Sequence, residues 1–392
     1  ALALAQAEIA HLEGRPEEVV QSLTPWCLRW PHLGLASRGL TLLLGAGDPA
    51  ASAAEARAVL GDAGLGPLLA LGLRAALMPQ DPALQALATA LPHHVYIGTS
   101  SWTYPGWAGL VWDQAYAEPL LSKHGLAAYS QHPLMRTVSL DRTFYRPLSA
   151  SQYAAYAAQV PDDFRFVVKA PSIVTDAMVR AEAGRALQPN PQFLNPELAV
   201  QEFVQPALEG LQHKIGALVF QLSPLTPLLL GQLPQVLERL RLMLSALPAL
   251  RPVAPDGVIA VEVRDPEFIG PDLVDVLRAS GAVYCLGLHA KMPSIQDQLP
   301  MLRKLWPAPM VCRWNLNPIH GAFGYEDARV LYSPYDTTVD EDLDTRQALA
   351  RVALATARVG LPAYITISNK AEGCAPLSVA ALVRELVGTD KG

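Results

Sequence analysis

Residues 258–264 read Val-Ile-Ala-Val-Glu-Val-Arg, an apolar strand-like run carrying a glutamate and an arginine two positions apart. Side chains alternate along an extended chain, so Glu262 and Arg264 face the same side as Ala260. Charges inside an apolar sheet are costly unless they pair or are put to use. Two readings stay open: a structural ion pair, or a site in which Glu262 is an acid/base or ligand and Arg264 clamps an anion. Lys169 closes a second apolar run, Phe-Arg-Phe-Val-Val-Lys. Desolvation there lowers an amine's pKa and suits anion binding or base chemistry. The alternative is a lysine paired with a carboxylate, for which Glu262 is the obvious partner.

Similar runs end in further polar groups. Asp141, Arg142, Thr143, Phe144, Tyr145 and Arg146 follow Thr-Val-Ser-Leu, and Gln221 follows Ala-Leu-Val-Phe. His289, then Arg313 with Asn315, then Asn369 with Lys370 close three more. Gln221 suits the orienting of a substrate hydroxyl and Tyr145 the donation of a hydrogen bond. His289 is either a satisfied structural histidine or a ligand. Arg142, Lys169, Arg264, Arg313 and Lys370 together make this set cationic, which attracts phosphates and carboxylates. Trp102, Tyr104 and Trp107 crowd three aromatics into six residues around Pro-Gly, without helical or strand period. They form either a packed plug or a platform on which a ligand stacks.

The elements that carry these groups follow from the texture of the chain. Eight β-rich runs (95–100, 137–144, 164–170, 215–222, 258–264, 282–289, 309–315 and 363–369) alternate with helical stretches such as LGQLPQVLERLRLMLSAL. Alternation of this kind predicts a parallel sheet with helices outside. Eight units over roughly 300 residues predict a closed (β/α)₈ TIM barrel, whose active groups lie at the carboxyl ends of the strands. An open doubly wound sheet is disfavoured, because no Gly-x-Gly-x-x-Gly follows the first run. The barrel is expected over residues 93–392.

Residues 1–92 are rich in Ala and Leu, with helical apolar spacing. Pro16, Pro49 and Pro82 recur every 33 residues, each where an amphipathic helix would begin. This period resembles tetratricopeptide-like helix-turn-helix repeats, against an ordinary helical extension in which the prolines fall on register by chance. A repeat segment would offer a surface for a protein partner or for self-association. The net charge of −6 gives no global footprint for nucleic acid. Cys27, Cys285, Cys312 and Cys374 form no Cys-x-x-Cys pair and read as free thiols of a reducing compartment. No apolar run is long enough for a membrane span, and the cytoplasm is the default compartment. The sequence opens on Ala1 rather than Met, so an upstream signal is left open.

The blocks IGTSSWTYPGW, RTFYR, FRFVVKAP, FQLSP, VEVRDPEF and SNKAEGCAP, in that order, resemble the signature of the YecE-like family, domain of unknown function 72, over about residues 95–388. The resemblance implies a TIM barrel and no particular reaction. Kinship with sugar-isomerase and endonuclease-IV-like barrels enters by structural analogy only. Matching positions are Trp102, Tyr104, Trp107, Thr143, Phe144, Tyr145, Arg146, Lys169, Glu262, Arg264, Asn369, Gly373 and Pro376. The chain departs from the pattern by carrying Ser139, Asp141 and Arg142 where the family has Glu-x-Asn-Ser. Histidines of the pattern are replaced around Asp176, at Asp265 and at Lys370.

Two classes of function are consistent with these residues. One is an enzyme or ligand-binding barrel for an anionic ligand, whether phosphorylated, nucleotide-like or a sugar acid. Glu262, Lys169 and Tyr145 would be its catalytic groups. Trp102, Tyr104, Trp107, Arg142, Arg146, Gln221, Arg264, Arg313 and Asn369 would bind the ligand. No cofactor is expected. A divalent metal would have to draw on His289, His320, Asp141, Glu262 and Asp336, a set short of the histidines a zinc cluster needs. The other class is a non-catalytic scaffold or sensor that uses residues 1–92 for a protein partner. A nucleic-acid-binding barrel is a minor variant of the first.

Overall fold

The structure is a computed structural model and describes residues 81–181, 185–289, 291–321 and 324–390. The tetratricopeptide-like reading of residues 1–92 falls almost wholly outside these residues. Within them Pro82 opens a helix, α1 (Pro82–Ala90). The chain divides into two compact units, Trp102–His132 and a larger one made of Pro82–Ser101 with the residues from Pro133 onward.

The larger unit is built on a closed barrel of eight parallel strands. These are β1 (Val95–Thr99), β2 (Thr137–Leu140), β3 (Arg165–Lys169), β4 (Ile215–Gln221), β5 (Val258–Glu262), β6 (Val283–Leu288), β7 (Met310–Trp314) and β8 (Ala363–Ile367). They follow one another around the barrel in chain order, and β8 pairs with β1. The strands are almost wholly buried because one face lines the interior and the other lies under helices, hence their near-continuous apolar runs. Helices alternate with them along the chain: α2 (Glu118–Tyr129), α3 (Ala150–Ala157), α4 (Gln205–Leu211), α5 (Leu233–Ser245), α6 (Pro271–Ser280), α7 (Ile295–Leu305), α8 (Gly324–Tyr332), α9 (Leu343–Arg358) and α10 (Ala375–Asp390). An antiparallel pair, Met178–Arg180 with Ala186–Pro189, is inserted after β3. None of the described helices is long and apolar enough to cross a membrane.

Local chemistry fixes the helix starts. Ser149 and Gln152 form a reciprocal capping box at α3. Asp342 accepts from the Thr345 amide at α9, and Gly281 closes α6 at φ 67°, a left-handed conformation that favours glycine. At the start of α10 the Asn369 Oδ1 accepts from the Ala375 amide at 2.8 Å. Along α10, Val379, Leu382, Val383 and Leu386 recur at helical spacing and are buried, and α1 packs on this helix.

Two strand ends differ from the sequence expectation. The run 137–144 stops being a strand at Leu140, and Asp141–Phe144 turns into a 3₁₀ helix. Thr143 causes the turn, its Oγ1 lying 2.7 Å from the Leu140 carbonyl and 2.5 Å from the Lys169 carbonyl. The run 258–264 ends as a strand at Glu262, so Arg264 stands just beyond it.

The barrel interior explains why polar groups gather at one end. Val167, Ala217, Val219, Ala260, Cys285 and Val311 form one buried cluster with Tyr96 and Tyr364. Two residues further along the same strands come Lys169, Gln221, Glu262, Gly287 and Arg313. Period-two alternation turns all of them inward as the last layer before the carboxyl-terminal mouth. The register sets Gln221 beside Glu262, and Gly287 and Thr366 on either side of Arg313.

The unit Trp102–His132 has its own nucleus. The indole of Trp102 donates to the Leu121 carbonyl at 3.0 Å, and that of Trp112 donates to the Tyr104 carbonyl at 2.8 Å. Trp107 is fully buried, with its ring 5.1 Å from that of Tyr104. Gly125 in α2 leaves the space, since a Cβ there would sit 3.3 Å from both Trp102 and Trp112.

Candidate functional site

Glu262 is fully buried at the end of β5, and both of its oxygens are taken. Oε1 accepts from Arg264, at 2.8 Å from Nε and 2.7 Å from Nη2. Oε2 accepts from Arg313 Nη1 at 2.6 Å. Burial alone would raise the pKa of this carboxyl, but Arg264 and Arg313 outweigh it and hold it at about 2. Glu262 is therefore an anion at every physiological pH, with each oxygen engaged by a guanidinium.

Arg313 is the hub of the layer and is 2% exposed. Besides Glu262 it donates to Gln221 Oε1 at 3.1 Å and, through Nη2, to Asp141 Oδ2 at 2.6 Å. Burial opposes its charge, but Asp141 and Glu262 outweigh burial and push its pKa above the usual arginine value. Gln221 Oε1 also accepts from Arg264 at 2.8 Å, and Ser139 donates to the other oxygen of Asp141 at 2.5 Å. The cross-barrel contact depends on Gly287, which stands in β6 between the two strands. A Cβ at that position would lie 3.0 Å from Glu262 Cγ and 3.1 Å from Oε1. Glycine inside a strand often marks such a close approach.

Two guanidiniums thus meet two carboxylates, and the layer's other inward cation, Lys169, is left without one. Its ammonium lies 3.6 Å from the centre of the Phe144 ring. Among the described residues it has no hydrogen bond or ion pair. Burial, Arg313 and Arg264 push its pKa down to about 7, against the smaller opposing pull of Asp141 and Glu262. The group is still partly exposed. At neutral pH it is poised between amine and ammonium.

Aromatic groups from two loops surround these charges. Phe144 and Tyr145 leave β2, and their rings meet edge to face. Tyr325 opens α8 after β7, and burial and Asp141 raise its pKa, keeping it a hydrogen-bond donor. Lys370 Nζ lies 4.2 Å from the Tyr325 ring centre and 5.7 Å from that of Tyr335. Burial lowers the pKa of Lys370, and Arg329 lowers it further.

The structure brings Gln221, Glu262, Arg264 and Arg313 together and joins Asp141 to them. The other expected site residues have the following surroundings. Arg142 is exposed and donates to Tyr156 on α3 at 2.7 Å. Arg146 is exposed and makes no hydrogen bond or ion pair among the described residues. Tyr145 is 84% exposed. Asn369 is fully buried and caps α10 through its Oδ1. Trp102, Tyr104 and Trp107 belong to the unit Trp102–His132, in which Trp102 and Trp107 are buried and Tyr104 is half-buried. Burial holds the His289 imidazole neutral, and Arg264 adds to this, with a pKa of about 4. Gly287 and Tyr325 went unnoticed in the sequence, and Ser139 stood out there only as a departure from the family pattern. Of the first two, only Gly287 carried a signal, as a glycine within an apolar strand.

The metal-ligand candidates do not converge. His320 shares a 2.6 Å hydrogen bond with Tyr332, which donates to Asp340 at 2.7 Å, and Asp336 is exposed. Among the described residues no group of three or more His, Cys, Asp or Glu could hold a metal ion. Cys285, Cys312 and Cys374 are buried free thiols.

The chain is similar to a crystal structure of a DUF72 family protein from Enterococcus faecalis V583, with 15% identity and a TM-score of 0.48, over 74% of this chain and 95% of that one. It is also similar to one of a DUF72 family protein from Thermotoga maritima MSB8, with 18% identity and a TM-score of 0.46, over 76% and 100% of the two chains. No curated protein matches it. The model of the family described as a protein of unknown function, DUF72, matches residues 96–392, the whole barrel, and the chain belongs to the DUF72 family.

Proposed function

We propose that the barrel mouth binds a small anionic ligand and that the protein is an enzyme whose proton-carrying group is Lys169. The supporting observation is the incomplete charge balance of the inward layer. Arg264 and Arg313 have carboxylate partners, whereas Lys169 rests on a phenyl ring without one. A partly desolvated ammonium gains from any anion that reaches it, and an anionic ligand supplies the missing partner. In this reading Glu262 holds Arg264 and Arg313 in place and moves no proton, because they keep its carboxylate ionised. Tyr325 and Lys370, one donating and one cationic, extend the site outward from the inner layer.

Calorimetric titration with inorganic phosphate and with pyruvate tests the reading. Binding is expected to weaken at least tenfold in Lys169→Met and to stay unchanged in Lys304→Met, a change at an exposed position. Above pH 7 the free amine must take up a proton to pair with the anion, so affinity should fall as pH rises, approaching tenfold per unit. Equal binding by both variants, or binding indifferent to pH, would overturn it.

A further inference from the structure

We propose that Lys169 is a nucleophile as well as a proton carrier, forming an imine with a small carbonyl compound that bears its own negative charge, such as a keto or aldehyde acid. The inference rests on the anion-site reading above and names its substrate class. Four features of the site converge on it. Lys169 ends β3 on the inward face at the carboxyl-terminal end of the barrel and is partly exposed. Its nitrogen is bound by no carboxylate or carbonyl among the described residues, which leaves the lone pair available once the proton is gone. The Phe144 ring covers one side at 3.6 Å. The positive charges of Arg264 and Arg313 are fixed by Glu262 and Asp141, so they press on the ammonium without being neutralised by moving.

Glu262 is held as a carboxylate by two guanidiniums, and His289 is held as a neutral ring. That concentrates the covalent chemistry on Lys169. The step balances without any oxidant or reductant. The neutral amine attacks the carbonyl carbon, and the π electrons move to oxygen, which takes up a proton to give a carbinolamine. The nitrogen then loses a proton, the hydroxyl takes one and leaves as water, and the nitrogen lone pair closes the C=N bond. Tyr325 is in electrostatic reach of Asp141, Arg264 and Arg313 and is kept protonated, a suitable donor to the departing hydroxyl. The product is the protonated imine, which carries a positive charge where the ammonium stood, opposite the ligand's own carboxylate.

The experiment is reductive trapping of the full chain at pH 7 with glyoxylate and cyanoborohydride, read by peptide mass mapping, beside calorimetric titration of glyoxylate without reductant. Trapping is expected at Lys169 at least tenfold faster than at exposed Lys304, saturating with glyoxylate, and the fast phase should vanish in Lys169→Met. If glyoxylate binds in a Lys169-dependent way but Lys169 is trapped no faster than Lys304, the imine is overturned and the anion site stands. If glyoxylate neither binds nor is trapped preferentially, both fall.

Discussion

Glu262 and Arg313 meet over an intervening strand, with Oε2 and Nη1 2.6 Å apart, where β6 presents only the hydrogen of Gly287. A glutamate of β5 and an arginine of β7 could not lie in contact if β6 offered a side chain at this level. The pair is the core of a network that also fixes Arg264, Gln221 and Asp141. Its geometry is set by the absence of a methyl group.

Gly287→Ala should therefore act through Glu262. The added Cβ would meet Glu262 Cγ at 3.0 Å, in a layer with little room to yield. A loss of about 1–3 kcal/mol is expected, the usual cost of overpacking. Urea denaturation measures it. Glu262→Ala removes the clashing carbon, so the double variant should lose clearly less than the sum of the single losses. Simple additivity would show that Gly287 is needed for some other reason.

The barrel itself was legible because each strand is a short apolar run punctuated by turn residues, a pattern that depends on nearby sequence alone. The site was legible only at strand ends. That Glu262 and Arg264 share a face follows from period two. That Arg313, 51 residues away, joins them follows from closure of the barrel and from Gly287, neither of which local sequence states. Arg142 was expected in the ligand-binding set because the run 137–144 reads as a strand. The Thr143 hydroxyl turns the chain instead, and Arg142 contacts Tyr156. Tyr325 arrives from a connection after β7 with no motif to mark it. The aromatic groups beside the charges therefore include one that no strand-end survey would find.

Removing Arg313 should be far more damaging than an exposed arginine change. Arg313→Met strands Glu262, which is fully buried and keeps only Arg264, and deprives Asp141 of its partner. Breaking one side of a buried charge network costs on the order of 3–5 kcal/mol. Arg142→Met, at an exposed position, should stay within about 0.5 kcal/mol. Thermal and urea unfolding of both variants check the contrast.

Glu262 also predicts an acid limb of the stability curve. Its folded pKa, about 2, lies below the value of roughly 4.3 for an unfolded glutamate, so the unfolded chain binds the extra proton first. The stabilisation is complete above about pH 5 and is lost as pH falls toward 2, with a magnitude on the order of 3 kcal/mol. Glu262→Gln should flatten this part of the curve while lowering stability at pH 7. An unchanged acid limb in that variant would assign it to other carboxylates.

Lys169 predicts a slope of the same sign at the other end of the scale. Its folded pKa, about 7, lies below the roughly 10.4 of an unfolded lysine, so between those values the unfolded chain holds more protons than the folded one. Stability contributed by this group must then rise from pH 7 to about 10.5, and below pH 7 the fold carries a desolvated charge at full cost. Lys169→Met keeps the length of the side chain and its contact with Phe144 while deleting the charge. It should stabilise the protein by a few kcal/mol at pH 6 and by almost nothing at pH 11. The same substitution abolishes the proposed anion binding and imine formation, so one variant should gain stability as it loses function. That trade is expected where a fold keeps an unpaired charge for use. Urea midpoints at the two pH values decide it: a variant no more stable than the parent at pH 6 would mean that Lys169 is already satisfied in the folded chain.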